Sequence, residues 1–355
     1  MSPTSTQAII RVLIVDDSAF VRKVVKEMLS RSPFIEVVGT AHNGEEALEM
    51  TARLAPDVVT LDLMMPDMDG VEFLRRQMAV RPLPVVVCSI AHESGELALA
   101  AMDAGAVEFV QKPTALATAR VYDVAEELIG KVKAAAQVRI ARVMSPAAAV
   151  AAGPATSPSS ALRSAQRADI VVLGISTGGP QALRYLVPRL PADFPVPIVV
   201  VLHMPVGYTE MYAGRLNELS ALEVVEARDG DLLRAGAVFI APAGRHLTFV
   251  RRDDGSVRCH LDLRPLDTPH RPAVDVLFRS AADTFGARVL GVVMTGMGDD
   301  GLVGSAHIKA LGGRVVTESE SSCVVYGMPR AVVEAALSDR QATLEEMSAV
   351  ITGMV

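Results

Sequence analysis

The sequence predicts an α/β protein made of two doubly wound halves joined by a linker. Three observations carry that prediction. Short apolar runs alternate with amphipathic stretches in both halves, the rhythm of a buried parallel sheet covered by helices. Residues 145–166, "SPAAAVAAGPATSPSSALRSAQ", hold few large apolar side chains, so burial there cannot offset the entropy of ordering, and Pro146, Gly153, Pro154 and Pro158 interrupt any helix. The 355 residues are too many for one typical core and suit two. The chain therefore divides into a first domain at 8–128, a linker at 129–167 and a second domain at 168–355.

In the first domain the strand-like runs are "IIRVLIVDD", "IEVVGTA", "DVVTLDL", "PVVVCS" and "EFVQKP". They alternate with helix-like "FVRKVVKEMLS", "GEEALEMTARL", "GVEFLRRQM", "GELALAAMDAG" and "YDVAEELIGKV". In an open parallel sheet, function collects beyond the carboxyl ends of the strands. The residues there are Asp16 and Asp17, then Asp62, Ser89 and Lys112. Carboxylates gathered at one rim repel, so they call for a cation, and an all-oxygen donor set suits Mg²⁺ or Mn²⁺. Lys112 then stands ready to pair with an added anion. Taken singly, each aspartate also fits a turn or a cap, Asp17-Ser18 before "AFVRKVV" above all. Their gathering at one edge with a hydroxyl and an ammonium fits chemistry better.

In the second domain "DIVVLGIS", "PIVVVLH", "RVLGVVMT" and "GRVVTES" read as parallel strands. Between them, "GAVFIAPAGRHLTFVRRDDGSVRCHLDL" reads as antiparallel strands, with Asp-Asp-Gly-Ser as the turn. The stretch "VVLGISTGGPQALRYL" at 171–186 leaves the strand through small residues and enters a helix, and Ser176 sits at the turn. Glycines there let backbone amides approach a phosphate at a helix N-terminus, but neither standard nucleotide fingerprint is present. Ser176 or Thr177 equally suits a helix cap just before Pro180. "GISTG" also matches G-x-S-x-G, a sharp turn that lifts a serine hydroxyl clear of the sheet.

A nucleophile needs a base, and the base needs an orienting group. His203 ends "PIVVVLH", and "RVLGVVMTGMGDDG" runs into a turn carrying Asp299 and Asp300. Each candidate follows an apolar strand, so all can meet at one edge. His42 and His92 lie in the first domain and His307 inside a helical pattern. Among His246, His260 and His270, in the antiparallel section or its loops, only His270 is placed near a rim. The order Ser, His, Asp differs from the Ser, acid, His of ordinary α/β-hydrolases.

A net charge of −7 argues against nucleic acid as the main partner. Cys88, Cys259 and Cys323 are odd in number and widely spaced, with neither a disulfide framework nor zinc spacing, which suits a reducing cytoplasm. The start, "MSPTSTQAIIRVLIVDD", has no apolar signal core, and no segment reaches the roughly 20 apolar residues of a membrane span. The expectation is a cytoplasmic protein without membrane insertion.

"LIVDDSAFVRK", "TLDLMMPDMDG" and "GAVEFVQKP" resemble a response-regulator receiver domain. The resemblance implies a flavodoxin-like fold with Asp62 as phosphoacceptor and Mg²⁺ held by Asp16, Asp17, Asp62 and the Met64 carbonyl. Ser89 and Lys112 would contact the phosphoryl group, and Phe109 would be the aromatic switch. "GISTGGP", "VLHMP", "IAPAGRHL", "HRPAVDVLF", "MTGMGDDG" and "VVYGMPRA" together resemble the catalytic domain of the chemotaxis protein-glutamate methylesterase/glutamine amidase family, CheB. That resemblance implies Ser176 as nucleophile, His203 as general base then acid, and Asp300 as the orienting carboxylate. Thr177 and Met297 would border the site, with backbone amides as oxyanion donors and no cofactor. Asp299 departs from the family, where many members carry an uncharged residue. The implied partners are methylated chemoreceptors and a chemotaxis-type histidine kinase as phosphodonor, with the receiver restraining the esterase by packing until phosphorylated. A phosphorylation-controlled binding module with a dead esterase site is the competing class, and the intact Ser, His and Asp oppose it. A DNA-binding regulator would need a short basic helix-turn-helix where this chain has strands and glycine turns.

Overall fold

The computed structural model describes residues 8–89, 95–112, 120–138 and 167–355. The chain falls into two units, Met1–Met144 and Ser145–Val355. The first holds five parallel strands, β1 (Ile10–Val15), β2 (Ile35–Ala41), β3 (Val58–Leu61), β4 (Val85–Ser89) and β5 (Glu108–Gln111), in the order β2-β1-β3-β4-β5. The order reverses between β1 and β3, which opens a crevice beyond their carboxyl ends. Its helices are α1 (Ala19–Leu29), α2 (Gly44–Leu54), α3 (Gly70–Val80), α4 (Gly95–Asp103) and α5 (Arg120–Ala135). The first three start at side-chain caps: Ser18 accepts from the Val21 amide, Asn43 from Glu46 and Asp69 from Glu72.

α5 continues past residue 128, where the sequence reading ends the domain. Val132, Ala134 and Ala135 are buried and extend its apolar face, so residues 129–135 are helix rather than linker. The remaining linker residues 139–166 lie outside the described residues.

The second unit carries β6 (Ile170–Ile175), α6 (Gly179–Leu186), β7 (Ile198–Leu202), α7 (Thr209–Leu219), β8 (Glu223–Glu226) and β9 (Ala237–Ile240). A hairpin of β10 (His246–Arg251) and β11 (Val257–Asp262) follows, then α8 (Val274–Phe285), β12 (Val289–Val293), α9 (Leu302–Ala310) and β13 (Arg314–Glu318). The chain closes with α10 (Met328–Glu334), β14 (Arg340–Ala342) and α11 (Leu344–Thr352). Seven strands form one parallel sheet in the order β14-β13-β12-β6-β7-β9-β8. The chain first builds β7, β8 and β9 on one side of β6, β9 inserting between the other two, and then returns to wind outward through β12, β13 and β14 on the other. The switch point is therefore at β6.

The long antiparallel reading needs correction. Only the hairpin of β10 and β11 is antiparallel, whereas Ala237–Ile240 inserts into the parallel sheet between β7 and β8. Its four residues are at most 1% exposed, as a strand covered on both faces must be. Among the described residues no helix is long and apolar enough to cross a membrane. All three cysteines are free and buried.

Candidate active site

Ser176 is the first residue past β6 and His203 the first past β7. The two strands pair with Ile175 opposite Leu202, so the next pair in register is Ser176 and His203. The His203 amide donates to the Ile175 carbonyl at 3.2 Å, which carries the register past the strand ends. Behind Ser176, its own amide donates to the Thr295 carbonyl at 3.0 Å and its carbonyl accepts from Gly179 at 2.7 Å. α6 begins at Gly179 with Gly178 as its N-cap and no side-chain capping bond. Neither Ser176 nor Thr177 caps the helix, so the capping explanation for Ser176 fails.

Past β12 the chain runs flush against this turn. A Cβ on Gly296 would lie 2.9 Å from the Ser176 Cβ and 2.4 Å from the Met328 sulfur, so only glycine fits. Thr177 is buried and its carbonyl accepts from the Thr295 hydroxyl at 2.9 Å, while Met297 is 39% exposed. The backbone amides of Thr177 and Met297 make no hydrogen bond among the described residues. Two unspent donors flank the serine turn.

His203 Nε2 lies 2.9 Å from Asp300 Oδ2, with both side chains about nine-tenths buried. His203 Nδ1 is buried and has no hydrogen-bond partner among the described residues. With Nε2–H donating to the carboxylate, Nδ1 carries the lone pair. The His270 ring stacks on His203 at 4.1 Å between centroids and 24° between planes. Asp300 also accepts from the amides of Val274 at 2.8 Å and Asp275 at 2.9 Å, at the start of α8. Burial pushes its carboxyl up, but the bonds from His203 and these amides outweigh burial and leave it below the usual aspartate value. In return, Asp275 accepts from Gly301 at 3.0 Å and Gly304 at 2.7 Å, so the starts of α8 and α9 each hold the other's carboxylate. Asp299 is exposed and offers only its carbonyl, to Leu302. Asp300, not Asp299, meets His203.

Sequence reasoning did not find Thr295, Asp275 or Glu318. Glu318, at the end of β13, is 1% exposed and accepts from the Thr295 amide and the Ser322 hydroxyl, each at 2.9 Å. Asp275 stood inside the quoted motif "HRPAVDVLF", and Glu318 inside the quoted run "GRVVTES", where it ends β13. A carboxylate closing an apolar run was the available signal for Glu318, and a carboxylate in the first turn of an apolar helix for Asp275.

At the first unit's crevice, Lys112 Nζ lies 2.8 Å from Asp16 and 2.7 Å from Asp62. Burial favours the neutral amine, but the two carboxylates outweigh it and hold Lys112 above its usual value. One oxygen from each of Asp16, Asp17 and Asp62 lies within 4.8 Å of the others. Ser89, buried at the end of β4, accepts the Lys112 amide through its carbonyl at 2.8 Å. The Met64 amide donates to Asp62 at 3.3 Å, and Phe109 is buried on β5. The residues named from sequence thus gather at two separate rims, one in each unit.

Comparison with known proteins identifies a family for each unit. Residues 12–121 match the response regulator receiver domain family and residues 171–351 match the CheB methylesterase family. A protein-glutamate methylesterase/protein-glutamine glutaminase of Myxococcus xanthus is 52% identical over 346 residues, covering 96% of this chain and 97% of its own. A namesake from Geobacillus kaustophilus is 44% identical, covering 98% and 99%. The crystal structure of the Thermotoga maritima CheB methylesterase catalytic domain superposes with a TM-score of 0.52 at 40% identity, covering 54% of this chain and all of that one. With one family matched across each unit and relatives aligned along nearly the whole length, the chain belongs to the CheB methylesterase family, a hydrolase domain preceded by a response regulator receiver domain.

Proposed function

We propose that this protein hydrolyses γ-glutamyl methyl esters on methylated chemoreceptors, and deamidates glutamines there, by a Ser176–His203–Asp300 mechanism. The observation that carries the reading is the register match of Ser176 with His203, whose far nitrogen is held by Asp300. Ser176 Oγ attacks the ester carbonyl while His203 Nδ1 takes its proton, and Asp300 stabilises the imidazolium that forms. The developing oxyanion falls to the unspent amides of Thr177 and Met297. Collapse breaks the ester C–O bond, and the proton on Nδ1 leaves with methanol, or with ammonia from a glutamine. Water then attacks the acyl-enzyme, giving its proton to Nδ1, and the carboxylate product departs as Ser176 regains that proton. The imidazole faces are the reverse of the familiar serine-protease arrangement, in which Nδ1 meets the aspartate.

In the receiver, a chemotaxis-type histidine kinase donates a phosphoryl group to Asp62. The oxygen-only donor set of Asp16, Asp17 and Asp62 fits Mg²⁺, held with the Met64 carbonyl. When bound, the ion neutralises charge on the transferring group. Lys112 and Ser89 hold the added phosphoryl oxygens, Phe109 reports the change as the aromatic switch, and the receiver ceases to restrain the esterase. The test is methanol release from methyl-labelled chemoreceptor preparations. Ser176→Ala should fold normally and lose several orders of magnitude of activity, and activity within tenfold of wild type refutes the assignment.

A further inference from the structure

His246 opens β10 and is fully buried, yet it belongs to no part of the mechanism above. Its ring reaches the segment between β11 and α8 at three points. Nδ1 accepts the Ala273 amide at 3.2 Å, while Nε2 lies 3.1 Å from the Pro265 carbonyl and 3.2 Å from the Thr268 hydroxyl. An amide donor at Nδ1 and a carbonyl at Nε2 assign the neutral Nε2–H tautomer. A second proton on Nδ1 would point at the Ala273 N–H. The bond from Ala273 therefore holds only while the ring is neutral, whereas the one to Pro265 survives protonation.

That segment bears on His203 from two directions. His270 within it stacks on the His203 ring. Ala273 at its end is followed by Val274 and Asp275, whose amides fix Asp300. We propose that His246 is a positioning residue of the esterase site, clasping residues 265–273 so that His270 and Asp300 keep the His203 ring in place. The proposal rests on the Ser176–His203–Asp300 reading. Three charged groups face the ring: Asp262 across the hairpin, Arg271 in the segment and Asp300 beyond it. Burial, aided by Arg271, outweighs the bond to Pro265 and the two carboxylates, so the ring stays neutral to below the ordinary histidine range.

The test pairs two isosteres on the full-length protein. Asparagine places an acceptor where Nδ1 stands and glutamine a donor where Nε2 stands. His246→Ala should lower kcat for methanol release by about 10²-fold, the scale of a misplacement of roughly 1 Å, and slow Ser176 labelling by a fluorophosphonate in parallel. His246→Asn, which keeps the bond to Ala273, should recover most of both rates, and His246→Gln less. The acid limb of kcat/KM should steepen where His246 protonates, and that steepening should be absent from His246→Asn. In wild-type protein the Ala273 amide should lose hydrogen-exchange protection as His246 protonates. Rates of His246→Ala within threefold of wild type overturn the proposal. So does protection at Ala273 that persists through the His246 titration, a readout that needs no variant to fold. Failure of the underlying reading shows separately, as wild-type protein that takes no label at Ser176, and it removes this proposal with it.

Discussion

Replacing Glu318 by glutamine should stabilise the second unit at alkaline pH and leave it unchanged in acid. Glu318 is 1% exposed, and its carboxyl accepts from the Thr295 amide and the Ser322 hydroxyl. Burial pushes its carboxyl from 4.5 up to about 7, against those hydrogen bonds and with help from Glu345. Below pH 4.5 the group is protonated in folded and unfolded chains alike, so it contributes no difference. Above that value the unfolded chain ionises first, and stability falls as pH rises through about 7. At 1.36 kcal/mol per pH unit the full loss is about 3 kcal/mol. Glutamine has the same shape, accepts from Thr295 through its oxygen and donates to Ser322 through its nitrogen, but never ionises. Calorimetric scans at pH 4 and pH 8 measure the outcome. The variant should match wild type at pH 4 and melt several degrees higher at pH 8. A difference that does not change with pH refutes the reasoning, because it would belong to packing rather than to ionisation.

Asp300→Asn should reduce methanol release by about 10³- to 10⁴-fold, whereas Asp299→Asn should stay within a few-fold, and the reverse ranking would move the orienting role. Incubation with a small-molecule phosphodonor and Mg²⁺ should label Asp62 and leave Asp62→Asn unlabelled, with labelling lost on chelation. Labelling that survives chelation removes the metal from the account. The fragment 168–355 should release methanol faster than unphosphorylated full-length protein and ignore the phosphodonor that activates the whole. A slower fragment would mean that the receiver assists catalysis directly.

The parts of the structure that sequence exposed are those with a strong local signal. Five apolar runs gave the receiver sheet, and the residue after each run gave Asp16, Asp62, Ser89 and Lys112 at one crevice. The same step past the strand gave Ser176 and His203. β8 and β14 escaped because "EVVE" and "RQA" are short edge strands with little apolar pattern. Ala237–Ile240 was assigned to the wrong sheet because a buried run looks alike in either, and pairing is set by tertiary contacts. His246 was placed away from the rim because its partners at Pro265, Thr268 and Ala273 are 19 to 27 residues away. No periodicity reports bonds of that kind.

Strand order explains both the chain order Ser176, His203, Asp300 and the small residues around them. β6 lies between β7 and β12, so Ser176 comes from the middle strand, His203 from one neighbour and Asp300 from beyond the other. Asp300 must therefore cross the end of β6 to reach His203. Two close approaches make that crossing possible. Gly296 lets the segment after β12 lie against Ser176, and Gly174 on β6 admits Val274, since a Cβ there would sit 2.3 Å from the valine methyl. With Val274 seated on β6, the first amides of α8 arrive above the strand end and hold Asp300 at its meeting with His203. In an α/β-hydrolase order the acid precedes the histidine; here the histidine strand is wound first because β7 adjoins β6 before the chain returns to build β12. The carboxylate then approaches the imidazole from the β12 side and takes Nε2, leaving Nδ1 as the nitrogen with an unspent lone pair. Because Val274 seats on Gly174 and its amide holds Asp300, Gly174→Ala should disturb Asp300 and His203 together even though it touches neither.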